Sequence, residues 1–309
     1  MSDLQKAPLA VLCSDLHLRE TAPSARAEKD WYEVMENHLN ALGDAAYCSG
    51  NVPIICAGDV FDRWNPSSEL VRFAIQHLPQ MWAIPGQHDL RYHDYESRLR
   101  GAYGCLVAAD VIYDLPAGTW DGDRGLQVWA MPWGRWEPPT EAESHPFNGI
   151  ELPFNGIKLG VLHKYAWSNQ FNCHAKAEES SRFERLYPNL DAMIIGDNHI
   201  PWMLPNVMNH GGFIPQNADQ KSLVPHYGLL MSDGTIERHP YDVPEPVWLE
   251  SWQPQVEDAK VASEVIQELR DLQLSGDSFL ENLERAVDAA GSQTAVILRQ
   301  MITDLKQNG

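Results

Sequence analysis

The sequence predicts an α/β layered fold. Short apolar runs recur along the chain, each closing in Gly, Pro or a polar residue, as strands buried on both faces do. Segments of helical periodicity separate the first three runs. With 309 residues, 44% of them hydrophobic, the chain is long enough to bury a large core.

The first run is Leu9–Cys13, followed by Ser-Asp-Leu-His. Trp31, Met35, His38 and Leu42 then share one helical face. Val52–Cys56 leads into Ala-Gly-Asp. Pro66, Ser67 and Ser68 suit the start of a second helix, whose apolar face is Leu70, Phe73, Ala74 and Leu78. Met81–Ile84 precedes Pro-Gly-Gln-His-Asp. The first half therefore reads β-α-β-α-β. From Val111 to about Tyr241 strands lie closer together, with runs at Gly125–Met131, Ile157–Leu162 and Ala192–Ile195. A tandem duplication, Pro146–Leu152 and Pro153–Leu159, is too short for a solenoid and reads as an insertion beside a hairpin. Pro240, Pro244, Pro246 and Pro254 mark a break between a domain at 1–240 and a tail at 241–309. The tail is acidic and carries three apolar helical stripes, Val261 to Leu272, Phe279 to Ala290 and Leu298 to Leu305, with a capping box at Ser278–Glu281.

Lys and Arg number 23 against 43 Asp and Glu, a net charge of −20. That balance excludes a protein that coats nucleic acid unaided. It leaves room for a nuclease whose metals face the phosphate, or whose partner supplies the basic surface. The apolar content and 11 Trp argue against a disordered chain. The five cysteines include no CxxC, and Cys13 and Cys56 lie in apolar runs, so buried thiols in a reducing compartment are expected. No secretory leader and no run of about 18 apolar residues is evident, so the expected location is the cytoplasm, with no membrane partner.

Five polar clusters close five of the runs: Asp15-Leu-His17, Gly58-Asp59-Val-Phe-Asp62-Arg63, Gly86-Gln87-His88-Asp89, His163, and Gly196-Asp197-Asn198-His199. In an α/β sheet the carboxyl ends of parallel strands share one edge, where ligands bind. A carboxylate such as Asp59 can bridge two cations, with imidazole and amide groups completing each shell. Such a donor mixture suits Mn²⁺, Fe²⁺ or Zn²⁺ more than Mg²⁺. Paired divalent metals about 4 Å apart are a recurring solution to phosphodiester cleavage. Each cluster alone is more often a turn or a satisfied core histidine. Five in order, each ending an apolar run, point to one site.

The motif order resembles that of the calcineurin-like metallophosphoesterases, over roughly residues 9–240. Within them the chain looks most like SbcD-type DNA nuclease subunits, especially bacteriophage ones. The features are Pro85–Leu90 followed by Tyr92 and His93, then Ala102-Tyr-Gly, and a helical tail after the Pro-rich break. The resemblance implies a four-layer α/β/β/α sandwich of two mixed sheets with a dimetal site at the sheet edge. It implies Asp15, His17 and His199 on one metal, Asp59 bridging, and Gln87, His163 and Asp197 on the other. His88 would be the acid for the leaving oxygen, oriented by Asp89, with Asp62 and Arg63 behind the ligands. Gln87 stands where the family has Asn, which shifts the amide by more than about 1 Å unless the backbone compensates. Asp197 stands where the family has His, which adds an anion and favours Mn²⁺ or Mg²⁺.

The implied function is Mn²⁺-dependent DNA cleavage beside an SbcC-type coiled-coil ATPase, with a homodimer left open. The alternatives are a phosphatase or phosphodiesterase on small molecules, nucleotides or phosphoproteins, and a non-catalytic scaffold with a degraded metal site. The remaining histidines, among them His38, His77, His145, His174, His226 and His239, read as surface residues, with His93 and His210 candidates for the cleft. Trp133, Trp136 and Trp167 could stack on a base but read first as core.

Overall fold

A computed structural model of the chain describes residues 6–121, 125–135, 156–167, 178–179, 190–217 and 220–249. Strand β1 (Pro8–Cys13) opens the fold, then come helix α1 (Trp31–Cys48), β2 (Ile54–Cys56), α2 (Ser68–His77) and β3 (Met81–Ala83). The predicted β-α-β-α-β order is therefore the observed one. Asp30 caps α1 by accepting from the Glu33 amide, and Ser67 caps α2 by accepting from Leu70. Two short 3₁₀ turns over Arg91–His93 and Tyr95–Arg100 lead to α3 (Ala102–Ala108). Strands β4 (Ile112–Asp114), β5 (Gly118–Asp121), β6 (Leu126–Met131), β7 (Ile157–His163), β8 (Ala166–Trp167) and β9 (Glu178–Glu179) follow. The remainder is β10 (Ala192–Gly196), β11 (Trp202–Met203), β12 (Val207–Asn209), β13 (His226–Met231) and β14 (Ile236–Pro240).

These strands form two six-stranded mixed sheets, in the orders β14-β13-β1-β2-β3-β4 and β11-β12-β10-β7-β6-β5, plus a small β8-β9 pair. In the first sheet β1, β2 and β3 are parallel neighbours, with Val11 opposite Ile54 and Ile55 opposite Trp82. In the second, β6, β7 and β10 are parallel neighbours, with Met131 opposite Leu162 and Gly196 opposite His163. Within each trio the carboxyl ends therefore lie on one edge.

Alternation along each strand divides the core into layers. Val11, Cys13, Ile54 and Cys56 pack with Met35, Leu39, Leu70 and Leu106 of the three helices. Ala10, Leu12, Ile55 and Ile84 pack instead with Val128, Leu159, Val161 and Ile194 of the second sheet. Met131, Leu162, Met193 and Ile195 form a third cluster on that sheet's far side. This is the expected α/β/β order. The expected fourth, helical layer is not among the described residues, and Pro146–Asn155 of the duplication and the three expected stripes of the tail lie outside them.

Two compact units divide the chain, Met1–Leu249 and Glu250–Gly309. The break expected at 240/241 sits inside the first unit. The reason is a set of contacts beyond Pro240: Ala27 donates to the Val247 carbonyl, Leu249 to Ala25, and Val247 to the Glu28 carboxylate. Among the described residues no helix is long and apolar enough to cross a membrane.

Candidate metal centre

The loops leaving β1 and β2 run side by side. Asp15 donates its amide to the Gly58 carbonyl, His17 to Asp59 and Leu18 to Val60, at 2.9–3.0 Å. This ladder fixes Asp15, His17 and Asp59 as one group. The Asp59 carboxylate then joins the third loop, its Oδ1 accepting from the His88 amide at 2.8 Å. Gly86 is required there, since a Cβ would overlap the Asp59 backbone and carboxylate. Gly58 has φ +99°, and a Cβ on it would overlap the His163 ring.

The second sheet closes the site from the other side. Asp197 donates its amide to Asp15 Oδ1 at 3.0 Å. His199 Nε2 lies 2.9 Å from His17 Nε2. His163 Nδ1 lies 2.6 Å from the Ala57 carbonyl, which can only accept. Neutral His163 is thereby held as the tautomer whose Nε2 lone pair faces Asp59 Oδ2, at 3.4 Å. Gln87 donates to Asp197 Oδ1 at 2.9 Å. Asp15, Asp59, His17 and His163 are all buried. Asp15, His17, Asp59 and Asp197 are four of the eight non-glycine residues with positive φ among the described residues. Strained backbone thus concentrates where the carboxylates converge.

Three overlapping groups have ligand atoms within 4.8 Å of one another: Asp15, His17 and His199; His17, Asp59 and His88; Asp15, Asp59 and His163. Whether cations fit is tested by what the protein leaves unsatisfied. Asp59 Oδ2, His163 Nε2 and His17 Nδ1 are buried without a hydrogen-bond partner among the described residues. Buried polar atoms are almost always paired, so two that face each other unbonded mark a cation position. The electrostatics agree. Burial opposes ionisation of Asp59, yet His163, then His17 and His88, hold its carboxyl below the usual range. Burial likewise opposes charge on His163, but chiefly Asp59, then Asp15 and Asp197, drive it up to about 10. Asp197 is pushed up to about 6, first by burial and then by Asp15 and Asp59, with His163 pulling the other way. Three crowded carboxylates draw positive charge onto His163 and His17, a demand that divalent cations meet.

The other expected residues fall differently. His88 sits at the mouth with its side chain 40% exposed, Nε2 4.0 Å from Asp59 Oδ2. Its Nδ1 lies 2.8 Å from the Asp62 carbonyl. Asp89, expected to orient it, is instead buried and accepts from the amides of Val60, Phe61 and Gly86. Burial first, then Asp59, pushes its carboxyl up to about 6. The Asp62 side chain lies 3.9 Å from His17 Nδ1. Arg63 pairs with Glu20 at 2.8 Å, a surface bridge bracing the loop before α2.

Sequence reasoning named Asn198 in the last motif without a role; it is buried, its side-chain amide donating to the Ala166 carbonyl and its oxygen accepting from the Ile200 amide. It missed Asn209, which donates to the Asn198 and Ile200 carbonyls. A polar residue inside the apolar β12 was the available signal. His38, His210 and His226 are buried rather than at the surface or in the cleft. His210 Nδ1 and Nε2 each lie 2.8 Å from a carbonyl, of Gly211 and His226 respectively. Trp133 is half-buried beside the site, while Trp136, the Trp167 side chain, His145 and His174 lie outside the described residues.

The calcineurin-like phosphoesterase family model matches residues 10–201. The chain belongs to this family. It is accordingly a metal-dependent phosphoesterase, with the ligand cluster above as its candidate centre. Solved structures similar to this phosphoesterase include TT1561 of Thermus thermophilus, at 12% identity over 76% of this chain and 99% of that one, TM-score 0.43. The calcineurin-like phosphoesterase YfkN from Bacillus subtilis gives 11% identity, 79% and 90% coverage and TM-score 0.41. A metallophosphoesterase from Sphaerobacter thermophilus gives 17%, 76% and 89%, and 0.34. No curated protein matches the sequence.

Proposed function

We propose that this phosphoesterase is a Mn²⁺-dependent DNA nuclease, the catalytic subunit of an SbcCD-like recombination or repair complex in the cytoplasm. The observation that carries the hydrolytic reading is the unbonded, buried Asp59 Oδ2 and His163 Nε2 facing each other beside Asp15, His17 and His199. In this reading Asp15, His17 and His199 would hold one cation and His163, Gln87 and Asp197 the second, with Asp59 available to both. Two such cations supply Lewis acidity to the phosphate and lower the pKa of the attacking water. His88 keeps Nδ1–H on the Asp62 carbonyl, so as imidazolium its Nε2–H is free for the leaving oxygen. The partner in this reading is a coiled-coil ATPase docked on the C-terminal tail, which supplies the basic DNA-binding surface that a chain of charge −20 lacks.

The test is incubation with labelled linear DNA and with bis-p-nitrophenyl phosphate in Mn²⁺, with and without the ATPase and ATP. Hydrolysis of both, with ATP-stimulated DNA cleavage, is expected. Turnover of small esters with intact DNA would replace the nuclease with a small-molecule phosphoesterase. No turnover and no bound metal would leave a scaffold.

A further inference from the structure

The loop after β1 alternates. Leu16 and Leu18 are fully buried, and Asp15, His17 and Arg19 take the positions between and after them. Asp15 and His17 belong to the metal cluster, and Arg19 has no part in it. Leu18 and Phe61 form a parallel bridge, and the Asp62 amide donates to the Leu18 carbonyl at 3.0 Å. This pairing sets Arg19 beside Asp62.

Asp62 locates the guanidinium relative to the chemistry. Its Oδ1 lies 3.9 Å from His17 Nδ1 and 3.8 Å from Arg19 Nη1. Its carbonyl lies 2.8 Å from His88 Nδ1. Arg19 therefore stands just beyond His17, on the same loop residue that holds His88.

The guanidinium is held in place but not bonded to a charge. Nη1 donates to Gln216 Oε1 at 2.9 Å, and an amide carries no charge. Asp62, at 3.8 Å, is beyond hydrogen-bond range. Nε is buried without a partner among the described residues, although the side chain as a whole is 27% exposed. Arg63, by contrast, commits its guanidinium to Glu20 at 2.8 Å. Buried donors are almost always paired, so a fixed arginine with an unfilled fork marks a place for an acceptor from outside the chain. Beside a centre crowded with carboxylates, in a chain of charge −20, a cation at the rim also favours the approach of an anion.

We propose that Arg19 is a specificity-determining residue that binds a second phosphate of the substrate, on the leaving-group side of the scissile ester. The planar fork suits phosphate oxygens, and bonds of this charge-assisted kind are the strong class. Its neighbour Asp62 holds His88, the acid for the departing oxygen, so a leaving group with its own phosphate is favoured over a neutral one. The inference rests on the hydrolytic reading above and adds a preference among substrates to it.

The experiment titrates the full-length chain, in Ca²⁺, with thymidine phosphorylated on both sugar hydroxyls and with each of the two monophosphates. Hydrolysis of bis-p-nitrophenyl phosphate in Mn²⁺ is followed alongside. The wild type should bind the bisphosphate about 10-fold or more tighter than the better monophosphate, the effect of one charge-assisted contact. Arg19→Gln should bring that ratio to about 1. Arg19→Lys, which keeps the charge and loses the fork, should retain part of it. Gln216→Ala, which frees the guanidinium, should lower the ratio less than Arg19→Gln does. A ratio of about 1 in the wild type would overturn the proposal. So would a ratio that Arg19→Gln leaves intact, including the case in which all three ligands weaken together and Arg19 only braces the loop. No diester hydrolysis by a wild type that shows the Arg19-dependent preference would overturn the hydrolytic reading instead.

Discussion

His88 has one nitrogen committed to a backbone carbonyl and the other facing a carboxylate across 4.0 Å. A main-chain partner orients the ring without depending on any side chain. His88→Asn should therefore lower turnover of a diester by about 10²–10⁴ with metal content unchanged, the usual contribution of a general acid. Loss of metal from that variant would make His88 a ligand instead, as its place beside His17 and Asp59 permits. Asp89→Ala should behave differently, because it strips acceptors from three loop amides at once. Its cost should appear first as a lower unfolding temperature, with several kcal/mol at stake if each amide is left unsatisfied. A normal melting temperature with depressed turnover would return Asp89 to the orienting role. The sequence distinguished these residues by motif alone. Adjacent letters in Gly-Gln-His-Asp face different partners because the turn sends successive side chains apart, and no spacing rule shows which one meets the imidazole.

The loops that carry the site depend on close approach. Gly86→Ala places a methyl against the Asp59 backbone and carboxylate, with backbone rather than a flexible chain as the obstacle. Circular dichroism melts and metal analysis should show a less stable protein that binds less Mn²⁺; unaltered metal binding would mean the third loop can shift freely. Helix α1 adds a pH response away from the metals. His38 is buried on its inner face, bonded to the Val34 carbonyl and edge-on to Phe213. Burial first, and then the Arg26 charge, push its pKa down to about 4, against the favourable carbonyl bond. An unfolded imidazole takes up its proton near pH 6.5, the folded one only near 4. Stability is therefore complete above about pH 6.5 and falls by about 3 kcal/mol as pH drops towards 4. His38→Leu should flatten that part of the profile, and parallel acid-induced losses in both proteins would contradict it. Strands and helices were legible here because buried runs and 3.6-residue periodicity reflect local burial. His38 lay on the apolar stripe of α1, so the periodicity placed it inside although its residue type suggested the surface.

At the scale of the molecule, the site exists because two sheets present the ends of their parallel strands to each other. Asp59 joins them, with Oδ1 on the third loop of the first sheet and Oδ2 facing His163 of the second. The sequence revealed each strand end but not the pairing between sheets, which is set by the packing of Leu12 and Ile55 on Val161 and Ile194. The domain end was less legible, because prolines mark irregular chain whether or not it packs. Arg26 shows why residues 241–249 belong to the first unit. Its buried guanidinium lies between the Trp31 and Trp248 rings, at 5.2 and 5.0 Å, and bonds Glu28 and the Pro215 carbonyl. Arg26→Met should cost about 3–5 kcal/mol by stranding Glu28, read as a lower denaturation midpoint, and a change under 1 kcal/mol would reduce the Arg26–Glu28 pair to a surface contact. It follows that deleting residues 250–309 should spare hydrolysis of a small diester while removing ATP-stimulated DNA cleavage. The central claim is a dimetal centre bridged by Asp59. Its most direct test is Mn²⁺ bound per chain at equilibrium, for the wild type and for Asp59→Asn, whose Oδ1 can still accept from the His88 amide. Two ions per wild-type chain, at most one in the variant, and melting temperatures that agree are the predicted result. Equal stoichiometry in the two proteins, with diester hydrolysis retained, would contradict it.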